Sequence, residues 1–213
     1  MLYSEMIPAP ERDSRRLMIM LHGLGDSIEG YRWLPEALQL PWMNYLLVNA
    51  PDEYYGGYSW FDFGGDIVPG VERSRKLLFE LLAAQRARGF SSAETIFGGF
   101  SQGCLMALDV GLRHAERFAG IVGISGFVCK PERLVKEMSP VALQQRLLVT
   151  HGTYDPMIRF AEVREQINIL KAAGLNLAFH EFAKEHTIAG MEELNLIRDF
   201  ISSGYLAESQ RPA

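Results

Sequence analysis

The chain has 213 residues, with 21 lysines and arginines against 26 aspartates and glutamates, a net charge of −5 near neutral pH. Apolar residues make up 48% and charged residues 22%, the balance of a single globular domain with a sizeable core and no basic field for nucleic acid or an anionic membrane. Two cysteines, Cys104 and Cys129, are too few for a disulfide framework and point to reduced thiols in the cytoplasm; no secretory signal opens the chain, and no apolar run nears the ~18 residues of a membrane span.

Residues 2–7 read as a short edge strand stopped by Pro8 and Pro10. Leu17-Met18-Ile19-Met20-Leu21 is continuously apolar, as expected of a strand covered on both faces of a parallel sheet, and it runs into the turn His22-Gly23-Leu24-Gly25-Asp26. A short helix is predicted over 31–40 and a buried strand over 45–48, closed by Asn49-Ala50-Pro51. The stretch 51–69 reads as a long loop carrying Tyr54, Tyr55, Tyr58, Trp60, Phe61 and Phe63. Its aromatics argue against disorder; they either cover the core edge or line a ligand site. An amphipathic helix over 71–88, with Leu77, Leu78, Leu81 and Leu82 on one stripe, ends before Gly89.

The apolar run from Thr95 ends in Gly99-Phe100-Ser101-Gln102-Gly103, and a helix-forming stretch follows at once. This is G-x-S-x-G where a strand turns sharply into a helix, the context in which the motif presents a nucleophilic serine. A further buried strand over 120–125 precedes an irregular stretch reaching Pro140, and a strand over 147–150 leads into His151-Gly152-Thr153-Tyr154-Asp155-Pro156. Val163, Ile167 and Leu170 mark a helix, 175–182 the last strand, and Leu194, Ile197 and Ile201 the last helix. Strands alternate with helices throughout, so the expected fold is α/β, mainly parallel, with helices on both faces. Residues 1–204 are read as one domain without a separate cap and 205–213 as a frayed tail.

In such sheets the carboxyl ends of the strands carry the site. A serine hydroxyl needs a base, and the base an orienting carboxylate. Of the five histidines, His22 and His151 sit in or beside turns, His114 at the end of the elbow helix and His180 inside a strand. His186, just past the last strand, is the choice for the base. Between Ser101 and His186 only Asp109 and Asp155 are aspartates. Asp109 lies roughly 12 Å along the same helix and points away, which leaves Asp155, with Glu185 a weaker rival. The order Ser101, Asp155, His186 is that of α/β-hydrolases. Backbone N–H groups of Gln102 and Leu24 are the expected oxyanion donors, and Tyr58, Trp60 and Phe61 the expected substrate-facing residues.

Leu21-His22-Gly23-Leu24-Gly25-Asp26, Asn49-Ala50-Pro51, Ser59-Trp60-Phe61-Asp62, Gly98-Gly99-Phe100-Ser101-Gln102-Gly103 and His151-Gly152-Thr153-Tyr154-Asp155-Pro156 together resemble the carboxylesterase/phospholipase family that includes the acyl-protein thioesterases. The resemblance runs from about Leu2 to Phe200. It implies an α/β-hydrolase fold, a Ser101–Asp155–His186 triad, Leu24 and Gln102 as oxyanion hole, and hydrolysis of small-molecule acyl esters or thioesters without cofactor or metal. A homodimer is left open. The chain departs from the family pattern at Glu185, where a glycine usually precedes the histidine, and at Cys104, where a small residue usually follows the elbow glycine.

Overall fold

A computed structural model describes residues 1–209, with side chains through Tyr205. In chain order the elements are β1 (Ser4–Ile7), β2 (Leu17–Leu21), α1 (Leu34–Leu38), β3 (Asn44–Val48), β4 (Asp52–Tyr54), β5 (Gly57–Ser59), α2 (Val68–Ala87), β6 (Thr95–Phe100), α3 (Gln102–Arg113), β7 (Gly120–Ile124), α4 (Pro131–Glu137), β8 (Leu147–Gly152), α5 (Phe160–Ala172), β9 (Leu177–Phe182) and α6 (Gly190–Ser209). Seven strands form one sheet in the order β1-β3-β2-β6-β7-β8-β9. Only β1 runs antiparallel to its neighbour; the other pairings are parallel.

The continuous apolar runs are explained by this covering. Leu17, Ile19 and Leu21 of β2 point into one core with α2, α3 and α5, while Met18 and Met20 point into another with α1 and α6. A strand buried on both faces loses the period-two alternation of a half-exposed one. α3 lies deepest: every residue from Gln102 to Leu112 is buried. Because the central strands are parallel, the ends of β2, β6, β8 and β9 open on one edge, and His22, Ser101, the Asp155 turn and the His186 loop all follow them there.

Several expectations change. The helix expected over 31–40 is a 3-10 turn at Ile28–Tyr31 followed by α1, which Pro35 opens and which ends at Gln39 in the left-handed region, φ 52°. Pro69 sits in the first turn of α2, where its missing N–H leaves no bond unmade. The stretch 51–69 is not loop throughout: β4 and β5 pair as a hairpin whose tip residues, Tyr55 and Gly56, both have positive φ, as two-residue hairpin turns prefer. α4 occupies part of the stretch read as irregular; with Leu134 its one buried residue, it has too little apolar periodicity to announce itself. α6 extends through Ser209, and the rest of the expected tail, 210–213, lies outside the described residues.

Two glycines let β6, α3 and β2 crowd together. A Cβ on Gly103 would stand 2.1 Å from the Leu21 carbonyl oxygen, and one on Gly99 would stand 2.2 Å from the Gly103 carbonyl oxygen. Backbone cannot yield as a flexible side chain can, so Gly103→Ala is expected to destabilise the protein by about 3 kcal/mol or more, the upper end of overpacking penalties. A urea titration of parent and variant measures this; an unchanged midpoint would show that the close approach carries no constraint.

Candidate active site

Ser101 stands between β6 and α3 with φ 54° and ψ −115°, a backbone conformation strained for a residue with a side chain. It is held there by its own N–H, which donates to the Ile124 carbonyl at 2.9 Å, and by α3, whose Leu105 N–H donates to the Ser101 carbonyl at 3.2 Å. The N–H groups that open α3 have no acceptor four residues back, so the helix presents free donors and its positive dipole end beside Ser101.

His186 lies in the loop after β9 with Ser101 on one side and Asp155 on the other. Its Nε2 is 2.9 Å from Ser101 Oγ and its Nδ1 is 2.7 Å from Asp155 Oδ2. Asp155 is buried, and its other oxygen accepts the N–H groups of Met157 and Ile158, each at 2.9 Å. Burial raises the Asp155 pKa, but the hydrogen bond from His186 and the two N–H donors outweigh it and hold the carboxyl below its ordinary value. An ionised carboxylate only accepts, so Nδ1 carries the imidazole proton and Nε2 is left to accept from the Ser101 hydroxyl. Glu185 is exposed and takes no part in this contact.

The other candidates fall away on geometry. Asp109 is buried on the far side of α3, paired with Arg75 at 3.1 Å and Arg113 at 3.0 Å. His114 caps the end of α3, and His180 is exposed on β9. His151 is fully buried with Nε2 donating to the Ile158 carbonyl at 2.9 Å and lying 3.6 Å from Asp155; burial depresses its pKa and keeps it neutral. His22 is also buried and neutral. Its Nδ1 donates to the Gly23 carbonyl at 2.6 Å and its Nε2 accepts the Ala50 N–H at 3.0 Å, so it ties the turn after β2 to the end of β3.

Gln102 does more than open α3. Its buried side chain accepts the Trp60 N–H at 2.9 Å and donates to the Phe61 carbonyl at 2.8 Å, clamping the segment after β5 onto the start of the helix. The Trp60 indole N–H donates to the His22 carbonyl at 2.9 Å. Trp60 and Phe61 are completely buried, which corrects their expected place in a substrate-facing wall: they are packing that holds the turn carrying Leu24. Tyr58 likewise acts through its backbone, which exchanges hydrogen bonds with Gly25 and Asp26, each at 2.9 Å. A cavity of about 450 Å³ beside Ser101 and His186 is lined instead by Leu24, Phe63, Phe100, Met157 and Ile158. Phe63 and Met157 were legible as apolar residues left beside the motifs; both are exposed, at 50% and 74%. A second cavity of about 470 Å³, lined by Tyr31, Trp33, Ile188 and Leu194, meets the first at Phe100 and His186.

Cys104 replaces the expected small residue because Gly123 and Gly126 face it; a Cβ on either would stand 2.7 Å or 2.5 Å from its sulfur. Burial pushes its thiol up to about 12, so it is an inert filler.

A serine, histidine and aspartate converging at the carboxyl edge of a mainly parallel sheet define the α/β-hydrolase class. The model of the phospholipase/carboxylesterase family matches residues 3–204, and the chain belongs to that family. It is 34% identical over 158 residues to acyl-protein thioesterase 1 of Schizosaccharomyces pombe, covering 66% of this chain and 69% of that protein. The Debaryomyces hansenii acyl-protein thioesterase 1 is 29% identical over 225 residues, 93% and 97% of the two chains. The crystal structure of esterase PE8 superposes with a TM-score of 0.86 at 30% identity over 95% of this chain and 98% of that one. Family and relatives make the protein a hydrolase of esters or thioesters. No helix among the described residues is long and apolar enough to cross a membrane.

Trp60→Ala is expected to cost about 3–5 kcal/mol in a denaturant melt, as emptying a fully buried tryptophan site does; a loss near zero would return Trp60 to the wall. Stability also depends on acid. The folded-state pKa values of His22 and His151 lie below the ordinary 6.5, so the unfolded chain binds those protons first. Their contribution is complete above pH 6.5 and drains away as pH falls below it, so the melting temperature is expected to decline from there downward. A flat profile through that range would mean that neither ring is held neutral.

Proposed function

We propose that the protein is a serine hydrolase acting on carboxylic esters, and on thioesters, of short to medium acyl chains. The reading rests on one observation, the continuous relay from Ser101 Oγ through His186 to Asp155 at 2.9 and 2.7 Å. Ser101 Oγ attacks the acyl carbonyl carbon while His186 Nε2 takes its proton and Asp155 holds the resulting imidazolium. The N–H groups of Leu24 and Gln102 stabilise the oxyanion. Collapse expels the alcohol or thiol, which leaves with the proton from His186. Water then repeats the sequence on the acyl-enzyme, releasing the carboxylic acid and restoring Ser101. All of this uses side chains and backbone of residues 1–204 acting as one domain.

The cavity bounded by Phe63 and Met157 suits the acyl chain, and the one beyond His186, with Tyr31 and Trp33, suits the leaving group. A second reading, removal of acyl chains from proteins or lysophospholipids, is favoured by the acyl-protein thioesterases among the relatives. The pair of free cysteines, Cys104 and Cys129, fits a cytoplasmic protein.

Ser101→Ala is expected to remove p-nitrophenyl ester hydrolysis by roughly 10⁵-fold or more and to abolish labelling by a fluorophosphonate, with the fold retained. Labelling of the variant at the parent's rate would place the nucleophile elsewhere, and absence of ester hydrolysis by the parent would make the protein a non-catalytic binder of the same fold. Each acyl methylene buried against Phe63 is worth about 0.8 kcal/mol, so Phe63→Ala should lower kcat/KM for octanoyl esters more than for acetyl esters. A uniform drop across chain lengths would remove Phe63 from the acyl site.

A further inference from the structure

The loop that carries His186 is weakly tied by its own backbone. Within it, the Lys184 N–H reaches the Phe182 carbonyl and the Thr187 N–H the Glu185 carbonyl, bonds between residues two apart that anchor nothing distant. Beyond the bonds of His186 itself to Asp155 and Ser101, its long-range ties among the described residues are few. The Tyr154 N–H donates to the Lys184 carbonyl at 3.2 Å, joining the loop to the turn that bears Asp155, and Ser125 Oγ donates to the Thr187 carbonyl at 3.2 Å. The third tie is made of side chains. Lys184 Nζ donates to both oxygens of Glu193, in the first turns of α6, at 2.6 and 2.8 Å, and the same carboxylate accepts the Ala189 N–H at 2.5 Å.

Both side chains are buried, with 3% and 0% of their surface exposed. Burying a lysine and a glutamate is a poor way to gain stability, because desolvation offsets most of the attraction and a well-packed apolar pair does as well. Stability alone therefore gives no reason for the pair at this point. Its placement does: Lys184 precedes His186 by two residues and Glu193 follows it by seven, so the ion pair closes the loop at its base with the imidazole inside.

We propose that the Lys184–Glu193 pair is a positioning device that sets His186 in register between Ser101 and Asp155. Lys184 is anchored twice, through its carbonyl to the Asp155 turn and through its ammonium to α6, and so locks the distance between the carboxylate and the imidazole. The pair touches no substrate and acts only through His186. The inference rests on the reading of His186 as the base.

The test compares parent, K184M/E193Q, Lys184→Arg, Glu193→Asp and Ser101→Ala in p-nitrophenyl butyrate hydrolysis, thermal melting and proton NMR of the downfield His186 Nδ1–H. K184M/E193Q removes both charges yet keeps an acceptor for Ala189, and is expected to melt close to the parent. Its kcat is expected to fall about 10- to 100-fold, as small misplacements of a reacting group do, with KM within about twofold and the Nδ1–H signal shifted or lost. Lys184→Arg, which keeps the charge, should recover most of kcat. If the double variant fails to melt cooperatively, Glu193→Asp decides, since it keeps the charge and withdraws the carboxylate by one methylene: the same fall in kcat at unchanged KM is expected. A folded variant with kcat within about twofold of the parent and an unmoved Nδ1–H signal overturns the proposal. Ser101→Ala separates the two failures. If it is inactive while K184M/E193Q is fully active, only the ion-pair inference falls; if it is itself active, the reading of the site falls first.

Discussion

The structure turns on a contact between backbones. Gly103, the second residue of α3, lies against the last carbonyl of β2, and Gly99 lies against Gly103. That crowding brings the end of β2, with its Leu24 turn, to the same place as the end of β6, with Ser101. The strained φ of 54° at Ser101 costs about 1–3 kcal/mol and persists only because the surroundings over-determine it. They do so through α3, whose first eleven residues are all buried. The most deeply packed helix is thus the one that begins at the Ser101 hydroxyl.

A single carboxylate serves two neighbouring imidazoles, and the arrangement works because one of them stays neutral. His151 donates Nε2–H to the Ile158 carbonyl, while its Nδ1 has no partner among the described residues. With no compensating acceptor for a second proton, that ring gains little by ionising, and the charge of Asp155 is left for His186. The N–H groups of Met157 and Ile158 that hold Asp155 belong to the same residues whose side chains line the Ser101 cavity, so electrostatics and shape are set by one turn.

Much of this was legible in the chain. The buried strands declare themselves because covering on both faces makes them continuously apolar, and the order of Ser101, Asp155 and His186 follows from which strand ends precede them. What the chain concealed was settled by partners distant in sequence. Trp60 reads equally as wall or as core until its indole is seen donating to the His22 carbonyl and its backbone to Gln102. Gln102 reads as a backbone donor alone, because nothing local says that its amide spans to residues forty positions earlier. Lys184 and Glu193 look like two more solvated charges in an acidic stretch; only the fold brings the start of α6 against the loop after β9 and buries them together. α4 was hidden for a simpler reason, having one buried residue in two turns.

The ends of the sheet carry a consequence of another kind. β1 and β9 are its open margins, and open margins invite a neighbouring molecule to add a strand. β9 meets solvent with Ala178, His180 and Glu181 exposed, and β1 carries Glu5, whose carboxylate is gripped by Arg32. Charge at both margins makes runaway stacking of copies edge to edge unfavourable, and β1, running against its neighbour and halted by Pro8, offers only a short template. A sheet whose interior strands are apolar on every face is the sort that would aggregate if its borders were bare; here polar and charged side chains stand at both rims, the feature that disfavours edge-to-edge pairing.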